Sequence, residues 1–483
     1  MIDKLRTILT SKLPPGSFAR NVVTMMTGTT FAQALVILVS PILTRMYSPE
    51  NFGVWALYTS VLGIMAVVAC WRYELAIVLP EKDEDAANLL FLSISICFGM
   101  AMLALILVAL FRNPVAIILG APELVPWLWF MPLSLIAAGL FQAFNYWSTR
   151  RKQFKRLAIR QMTQSTVTAV TQLGSGFALH PGSGGLISGS ILGQLAATGR
   201  LAWQIGKEEG RQIVTAISKR HIKKMLILYK NFPLFDSWSE FLNTASAMLP
   251  VLLLGYFFNP TVVGLYALGQ RVLSLPMGVI GGSIAQVFFP RATKAQRDGE
   301  LKKVTSDLFE RLIAIGFVPL MLIAVIAPDL FAIIFGERWW TAGQYVRWMS
   351  LWLFFQFISS PLSTIYYVME RQKNLLTFNL AMFLTRSLVI IIGGIRGDIL
   401  LAIVLLGITG AMLYAFLCMH ITKIVGIPVF RILLVIIKQV VFSIPYVFFP
   451  LLVWYVSSCS LAFVLGAIAS GCVFLVIRVY RIN

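Results

Sequence analysis

Charged residues are scarce in this sequence, and acidic residues are the scarcest of them. Asp, Glu, Lys and Arg make up 12% of the 483 residues, and Asp and Glu together occupy only 20 positions. Soluble domains carry roughly 25% charged residues. Because 58% of the residues are hydrophobic, an ordinary soluble fold is excluded, since it could not hide this much apolar surface.

Cysteine and histidine are also few. The five cysteines show no CxxC spacing, which indicates neither a disulfide framework nor a metal site; they are Cys70, Cys97, Cys418, Cys459 and Cys472. The three histidines, at positions 180, 221 and 420, lie far apart. With no nucleophile and base at a catalytic spacing, the sequence predicts a protein that is not an enzyme.

Long apolar runs recur along the whole chain. Each is close to the ~20 residues that a helix needs to cross a bilayer, and none alternates like a barrel strand. There are fourteen such runs, at 21–43, 53–79, 88–111, 124–147, 157–179, 186–206, 234–257, 262–289, 311–335, 345–369, 374–394, 399–420, 433–455 and 461–478. The predicted fold is an all-α polytopic membrane protein with about fourteen transmembrane helices.

The net charge of +20 is concentrated in alternate connections between the runs. Basic residues cluster at 150–156, 219–224 and 291–303, whereas the other side has only Arg45, Arg112, Arg338 and Arg396. This is the positive-inside bias, which predicts that both termini are cytoplasmic and that nucleic acid is not a partner. The N-terminus lacks the apolar core of a signal peptide and is expected to be an amphipathic segment on the membrane surface.

The chain also repeats itself. PENFGVWALY, from Pro49, matches PTVVGLYALG, from Pro260, at the proline, the glycine and the alanine–leucine pair. A weaker match joins Tyr146-Trp147 to Tyr366-Tyr367. An offset of six helices preserves orientation, which predicts a parallel repeat of the kind found in transporters. We therefore expect a six-helix bundle over 1–206, a linker over 207–232, a second six-helix bundle over 233–422, and two additional helices over 423–483.

Four short motifs carry a family resemblance. LTRMYSPENFGVWAL from Leu43, RYELAIVLP from Arg72, NYWSTRRKQFK from Asn145 and ERQK from Glu370 resemble bacterial polysaccharide flippases. These flippases handle O-antigen and exopolysaccharide repeat units, and they belong to the multidrug/oligosaccharidyl-lipid/polysaccharide exporter superfamily.

The resemblance implies two bundles around a central cavity that opens alternately to each side. It also implies the cargo, undecaprenyl-pyrophosphate carrying an oligosaccharide, moved from the cytoplasmic to the outer leaflet of the bacterial inner membrane. The implied partners are this cargo, membrane lipids and other polysaccharide assembly proteins.

Arginines within the apolar runs are the predicted substrate-binding residues. The guanidinium group binds phosphate oxygens in a fork and stays charged when desolvated. Arg72, Arg271 and Arg386 lie deepest in their spans and are expected to contact the pyrophosphate. For Arg72 the alternative is that it reaches the headgroups from near the span end. Glu74 is not expected to partner Arg72, because residues two apart point away from each other on a helix.

Oxygen-bearing side chains are the predicted coupling residues. Asp236 and Glu240 lie on one face of the seventh span, and Asn379 lies on the eleventh. Such groups can hold Na⁺ or relay a proton; no other cofactor is expected. The alternative interpretation of Asp236 is a helix cap near the cytoplasmic surface.

Two further functions compete with the flippase. A cation-coupled multidrug or small-solute antiporter would share the fold, but it would favour an acidic or apolar cavity over one rich in arginine. A membrane-embedded glycosyltransferase or polymerase would need a large external loop with catalytic residues. No connection on the predicted external side exceeds about a dozen residues, which argues against it.

Overall fold

The structure, a computed structural model, describes residues 18–178, 182–276, 282–457 and 459–482. The predicted amphipathic segment at the N-terminus falls within residues 1–17, outside the described residues. Throughout the described ranges, the regular secondary structure is helical. Contacts divide the chain into two compact units, Met1–Val263 and Gly264–Asn483, and each is described by itself.

The first unit contains ten α-helices in the described residues. They are α1 (Phe18–Met46), α2 (Pro49–Val67), α3 (Tyr73–Ala76), α4 (Asp83–Ile118), α5 (Val125–Leu128), α6 (Met131–Arg150), α7 (Phe154–Ala178), α8 (Ser183–Ala216), α9 (Lys219–Leu228) and α10 (Ser237–Phe257). A 3₁₀ turn, Pro122–Leu124, precedes α5, and a π turn, Phe232–Asp236, leads into α10. The contacts thus place the seventh predicted span with this unit.

The second unit contains most of α11, which crosses the unit boundary, and eight further α-helices in the described residues. They are α11 (Pro260–Pro276), α12 (Gly282–Arg297), α13 (Leu301–Phe335), α14 (Trp340–Leu362), α15 (Ile365–Val368), α16 (Gln372–Ile395), α17 (Ile399–Ile424), α18 (Val429–Ser457) and α19 (Ser460–Ile482). A 3₁₀ turn, Glu337–Trp339, joins α13 to α14.

Over its described residues, each of the fourteen predicted spans falls on one helix or on consecutive helices; residue 179 of the fifth span and residues 277–281 of the eighth lie outside the described residues. In the described residues, seven helices are long and apolar enough to cross a membrane, and the α5–α6 pair with its preceding turn, bent by 58°, is an eighth candidate. Other spans are broken or more polar: the second is interrupted between α2 and α3, and α7 is rich in Thr and Gln. The fold is that of a polytopic α-helical membrane protein, as predicted.

The repeated motif marks a close helix contact in the first unit. Ser48 caps α2 by accepting a hydrogen bond from the Asn51 backbone N–H, and Pro49 occupies the first turn, where its missing N–H costs nothing. A Cβ on Gly53 would lie 1.7 Å from the carbonyl oxygen of Pro260. Glycine is required here because the start of α2 packs directly on the backbone where α11 begins.

The segment predicted as a linker is anchored to the first unit. Helix α8 continues to Ala216, and α9 follows it. Met225 of α9 is buried in an apolar cluster with Leu89 and Leu90 of α4. The Asn88 side chain accepts from the Ser218 backbone N–H and donates to the Ala216 carbonyl. The connection is therefore fastened to α4 by packing and by hydrogen bonds.

Candidate functional site

The second span is broken at the point where it carries its arginine. Helix α2 ends at Val67 and α3 begins at Tyr73. Between them Trp71 and Arg72 have φ of 49° and 62°, a left-handed conformation that is uncommon for residues other than glycine and costs free energy. Arg72 therefore lies on a turn inside the span instead of on a continuous helix.

This turn gives Arg72 two acidic neighbours. Its Nε donates to Asp236 Oδ2 at 2.7 Å, and its Nη1 lies 3.9 Å from Glu74 Oε1. The prediction that Glu74 does not partner Arg72 was wrong. It assumed a regular helix through both residues, whereas the left-handed backbone at Arg72 turns the two side chains toward each other.

Glu74 is the most deeply buried member of this group. Its side chain is 1% exposed, and neither carboxylate oxygen has a hydrogen-bond partner. A buried charge is costly unless a countercharge is close. The Arg72 guanidinium supplies that countercharge among the described residues.

Asp236 is the second acidic residue next to Arg72. It ends the π turn before α10 and makes no side-chain capping hydrogen bond, so the helix-cap alternative is wrong for its side chain. Glu240, one turn later, accepts from the Thr244 hydroxyl at 3.3 Å and adds to the negative field on Arg72. These four residues, Arg72, Glu74, Asp236 and Glu240, are named here the Arg72 cluster. With all four ionised its formal charge is −2 (one positive, three negative).

In the second unit, Arg386 of α16 is surrounded by aromatic residues. Its guanidinium carbon lies 5.4 Å from the centre of the Trp352 ring, a cation–π distance. The Tyr414 hydroxyl and the buried Tyr266 are close by. Aromatic side chains therefore lie around this charged group within its span.

The other predicted residues of the second unit are half-buried. Arg271 lies on α11, where its carbonyl accepts from the Ser274 hydroxyl at 2.9 Å. Asn379 lies on α16, seven residues before Arg386, and so on the same helix face. In the described residues no group of three or more His, Cys, Asp or Glu could hold a metal ion. The coupling role of Asp236, Glu240 and Asn379 stays a prediction.

One buried arginine was missed from the sequence. Arg160 of α7 is 8% exposed, and its guanidinium carbon lies 3.4 Å from the centre of the Phe141 ring. The available signal was its position, four residues after Arg156 and inside the fifth predicted span. It was not selected because the predicted substrate-binding arginines were those nearer the centres of their spans.

Comparison with known proteins identifies the family of this chain. The family described as "Polysaccharide biosynthesis protein" matches residues 42–344, more than half of the chain. The chain belongs to this family. It is 23% identical over 329 residues to the succinoglycan biosynthesis transport protein ExoT of Rhizobium meliloti (strain 1021), covering 66% of this chain and 63% of the relative. The chain thus spans somewhat less than two thirds of that relative's length. The teichuronic acid biosynthesis protein TuaB of Bacillus subtilis (strain 168) is 25% identical over 113 residues, 23% of each chain.

Two solved structures have the same fold as this chain. A lipid II flippase MurJ structure, in an inward closed conformation, has a TM-score of 0.71 at 13% identity, covering 95% of this chain and 98% of its own. An inward-facing multidrug resistance MATE transporter has a TM-score of 0.62 at 14% identity, with coverages of 81% and 96%. At these identities the likeness shows the fold alone. The predicted family resemblance is confirmed.

Proposed function

We propose that this protein is a flippase for undecaprenyl-pyrophosphate-linked oligosaccharide repeat units. In this proposal it lies in the bacterial inner membrane with both termini in the cytoplasm, and it moves its cargo to the outer leaflet by alternating access. The family, and relatives named for succinoglycan transport and teichuronic acid biosynthesis, support a polysaccharide cargo. The fold shared with a lipid II flippase supports a lipid-linked one.

The placement of Arg386 within a span is the main observation that supports the proposal. A polyprenyl-linked glycan has a pyrophosphate that cannot cross hydrocarbon unaided, and a guanidinium group binds phosphate oxygens at two points. Arg386 is a half-buried guanidinium within a span, framed by Trp352 and Tyr414. Arg271, half-buried on α11, is the second proposed phosphate ligand.

Arg72 has a different proposed role, because Asp236 already occupies it. A pyrophosphate arriving at Arg72 would compete with Asp236 for the guanidinium. The displaced Asp236, with Glu240 one turn away, would then be available to a proton or Na⁺. Such an exchange of partners would couple cargo binding to cation binding.

The antiporter alternative has one observation in its favour. The Arg72 cluster has three carboxylates and one arginine, and an acidic excess suits a cationic solute. The fold is also shared with a MATE transporter. Deleting the gene separates the two functions: loss of a surface polysaccharide supports the flippase, and a gain in drug sensitivity with the polysaccharide intact supports the antiporter.

Complementation of the deletion strain tests the phosphate ligands. Arg386→Ala and Arg271→Ala should each abolish most surface polysaccharide, because a charge-assisted hydrogen bond is worth roughly 1.5–3 kcal/mol. Arg271→Lys should be intermediate, since it keeps the charge and loses the fork. The control is Arg200→Ala, which removes an exposed in-span arginine bonded to Thr163. Full polysaccharide in the two Ala variants, at normal protein level by blot, would contradict the assignment.

A further inference from the structure

The basic connection between α6 and α7 belongs to an ion-pair network at one end of the first unit. Arg150 and Arg151 bind the two oxygens of Asp83 at 2.9 and 2.8 Å. Arg151 and Arg156 bind the two oxygens of Glu209 at 3.0 and 2.6 Å. The network therefore ties the start of α4 and the last turns of α8 to the α6–α7 connection.

A pocket of about 650 Å³ opens among these residues. Four cationic side chains and three carboxylates line it, with Val78 as an apolar wall; they are Arg150, Arg151, Lys152, Arg156, Asp83, Glu208 and Glu209. The formal charge of the lining is +1 (four positive, three negative). Its volume is in the range of small-molecule sites, roughly 300–1,000 Å³.

The carboxylates of the pocket are already engaged by arginines. Asp83 receives Arg150 and Arg151, and Glu209 receives Arg151, Arg156 and the Trp147 indole N–H. Glu208 is also bonded to Arg156. The acidic residues thus have little capacity left to attract a cation.

Two cationic groups keep unused hydrogen-bonding capacity. Arg156 is 6% exposed, and its Nη1 is buried with no hydrogen-bond partner. Burial lowers the pKa of this guanidinium, but hydrogen bonds to Glu209 and Glu208 outweigh it, so the pKa lies above its ordinary value. Lys152 is exposed, has φ of 56°, and its ammonium group has no ion-pair partner in the described part of the chain.

We propose that this pocket binds a phosphate-bearing headgroup of a membrane lipid through Arg156 and Lys152. Phosphate oxygens accept from guanidinium and ammonium N–H groups, and the donors left unused here are Arg156 Nη1 and the Lys152 ammonium group. The pocket lies where the predicted second and fourth spans end, at residues 79 and 147, and so at the depth of lipid headgroups. The ligand could come from two sources with this chemistry, a polyprenyl pyrophosphate or a phospholipid. The inference does not depend on the proposed transport function.

Binding to the purified full-length protein in detergent tests the site. The probes are undecaprenyl pyrophosphate, phosphatidylglycerol and inorganic pyrophosphate, with affinities measured by native mass spectrometry. Lys152→Asn removes the charge and suits the left-handed backbone; Lys155→Asn, at a neighbouring exposed lysine outside the pocket lining, is the matched control. Arg156→Lys keeps the charge and replaces the three donor nitrogens of the guanidinium with one ammonium nitrogen.

We expect Lys152→Asn to weaken binding of the lipid probes by about tenfold, the lower end for one charge-assisted hydrogen bond. Arg156→Lys should weaken it similarly, and Lys155→Asn should leave it unchanged. A preference for undecaprenyl pyrophosphate identifies the polyprenyl source, and equal binding of both lipids identifies headgroups in general. No binding of any probe, or equal losses in the Lys152 and Lys155 variants, overturns the site.

The same assay separates this site from the transport proposal. Arg386→Ala, in the second unit, is expected to lose polysaccharide export and any probe binding at the proposed transport site, but in that background Lys152→Asn should still weaken binding of the lipid probes by about tenfold. If export survives in that variant while Lys152→Asn still loses binding, the transport assignment fails and the pocket stands.

Discussion

A charged residue within a membrane span is explained most directly by the charges next to it. Glu74 is a carboxylate with 1% of its side chain exposed and no hydrogen bond to either oxygen. Without a cation nearby, such a group would be too costly to keep ionised. Arg72 is 3.9 Å away and is itself bonded to Asp236. One function of this arginine is therefore to balance two carboxylates that lie 162 residues apart in the chain (236 − 74).

The first prediction separates this balance from a role in cargo binding. Arg72→Met should destabilise the protein by roughly 2–4 kcal/mol, because breaking a buried pair leaves an uncompensated charge. Adding Glu74→Gln should recover at least half of the loss. Asp236, whose side chain is 42% exposed, can be solvated by water. Thermal unfolding of the purified proteins, followed by tryptophan fluorescence, measures both changes.

Glu74→Gln alone is the control, and it should unfold close to the wild type. If the double variant is no more stable than Arg72→Met, Glu74 does not need Arg72, and the arginine is present for another reason.

At the scale of elements, hydropathy located the spans but not their interruptions. In the part of the chain that the structure describes, all fourteen predicted spans coincide with helices, because apolar length is a local property of the chain. The break at Arg72 was missed because Trp71 and Arg72 adopt left-handed backbone without glycine or proline to signal it. The Arg72–Asp236 pair is a tertiary contact, and a single sequence contains no signal for it. The Thr- and Gln-rich composition of α7 was visible, but Arg160 within it was passed over.

The second prediction concerns the packing of α2 on the start of α11. Gly53→Ala should reduce stability by about 3 kcal/mol or more, since its Cβ would meet the Pro260 carbonyl at 1.7 Å and backbone cannot give way as a side chain can. Gly99→Ala is the matched control in α4, with nothing within 4 Å of its Cβ. That change should be neutral or stabilising by about 0.5–1 kcal/mol. Unfolding midpoints in detergent report both, and equal midpoints for the two variants would refute the close contact.

At the scale of the whole molecule, an even number of spans sets where each connection lies. Fourteen spans starting from a cytoplasmic N-terminus would put the basic α6–α7 connection inside and the α18–α19 connection outside. Cys459 lies in that second connection and is exposed, whereas Cys70, Cys97 and Cys418 are buried. Cys472 is exposed within α19, which is the fourteenth predicted span. Cys459 can thus report on which side of the membrane the α18–α19 connection lies.

The third prediction uses Cys459 as a reporter of sidedness. A membrane-impermeant maleimide added to intact cells, or to cells whose outer membrane alone is opened, should label the wild type at one site. Cys459→Ser should remove the signal. In that background Lys155→Cys should be labelled only after the inner membrane is permeabilised, because the positive-inside bias predicts that this basic connection is cytoplasmic. The reversed pattern, with Lys155→Cys labelled in intact cells and Cys459 protected, would invert the topology. The prediction has an odd number of spans between residues 155 and 459, which puts the two sites on opposite sides of the membrane. Labelling of both sites from outside would mean that this number is even, and would contradict the count of fourteen.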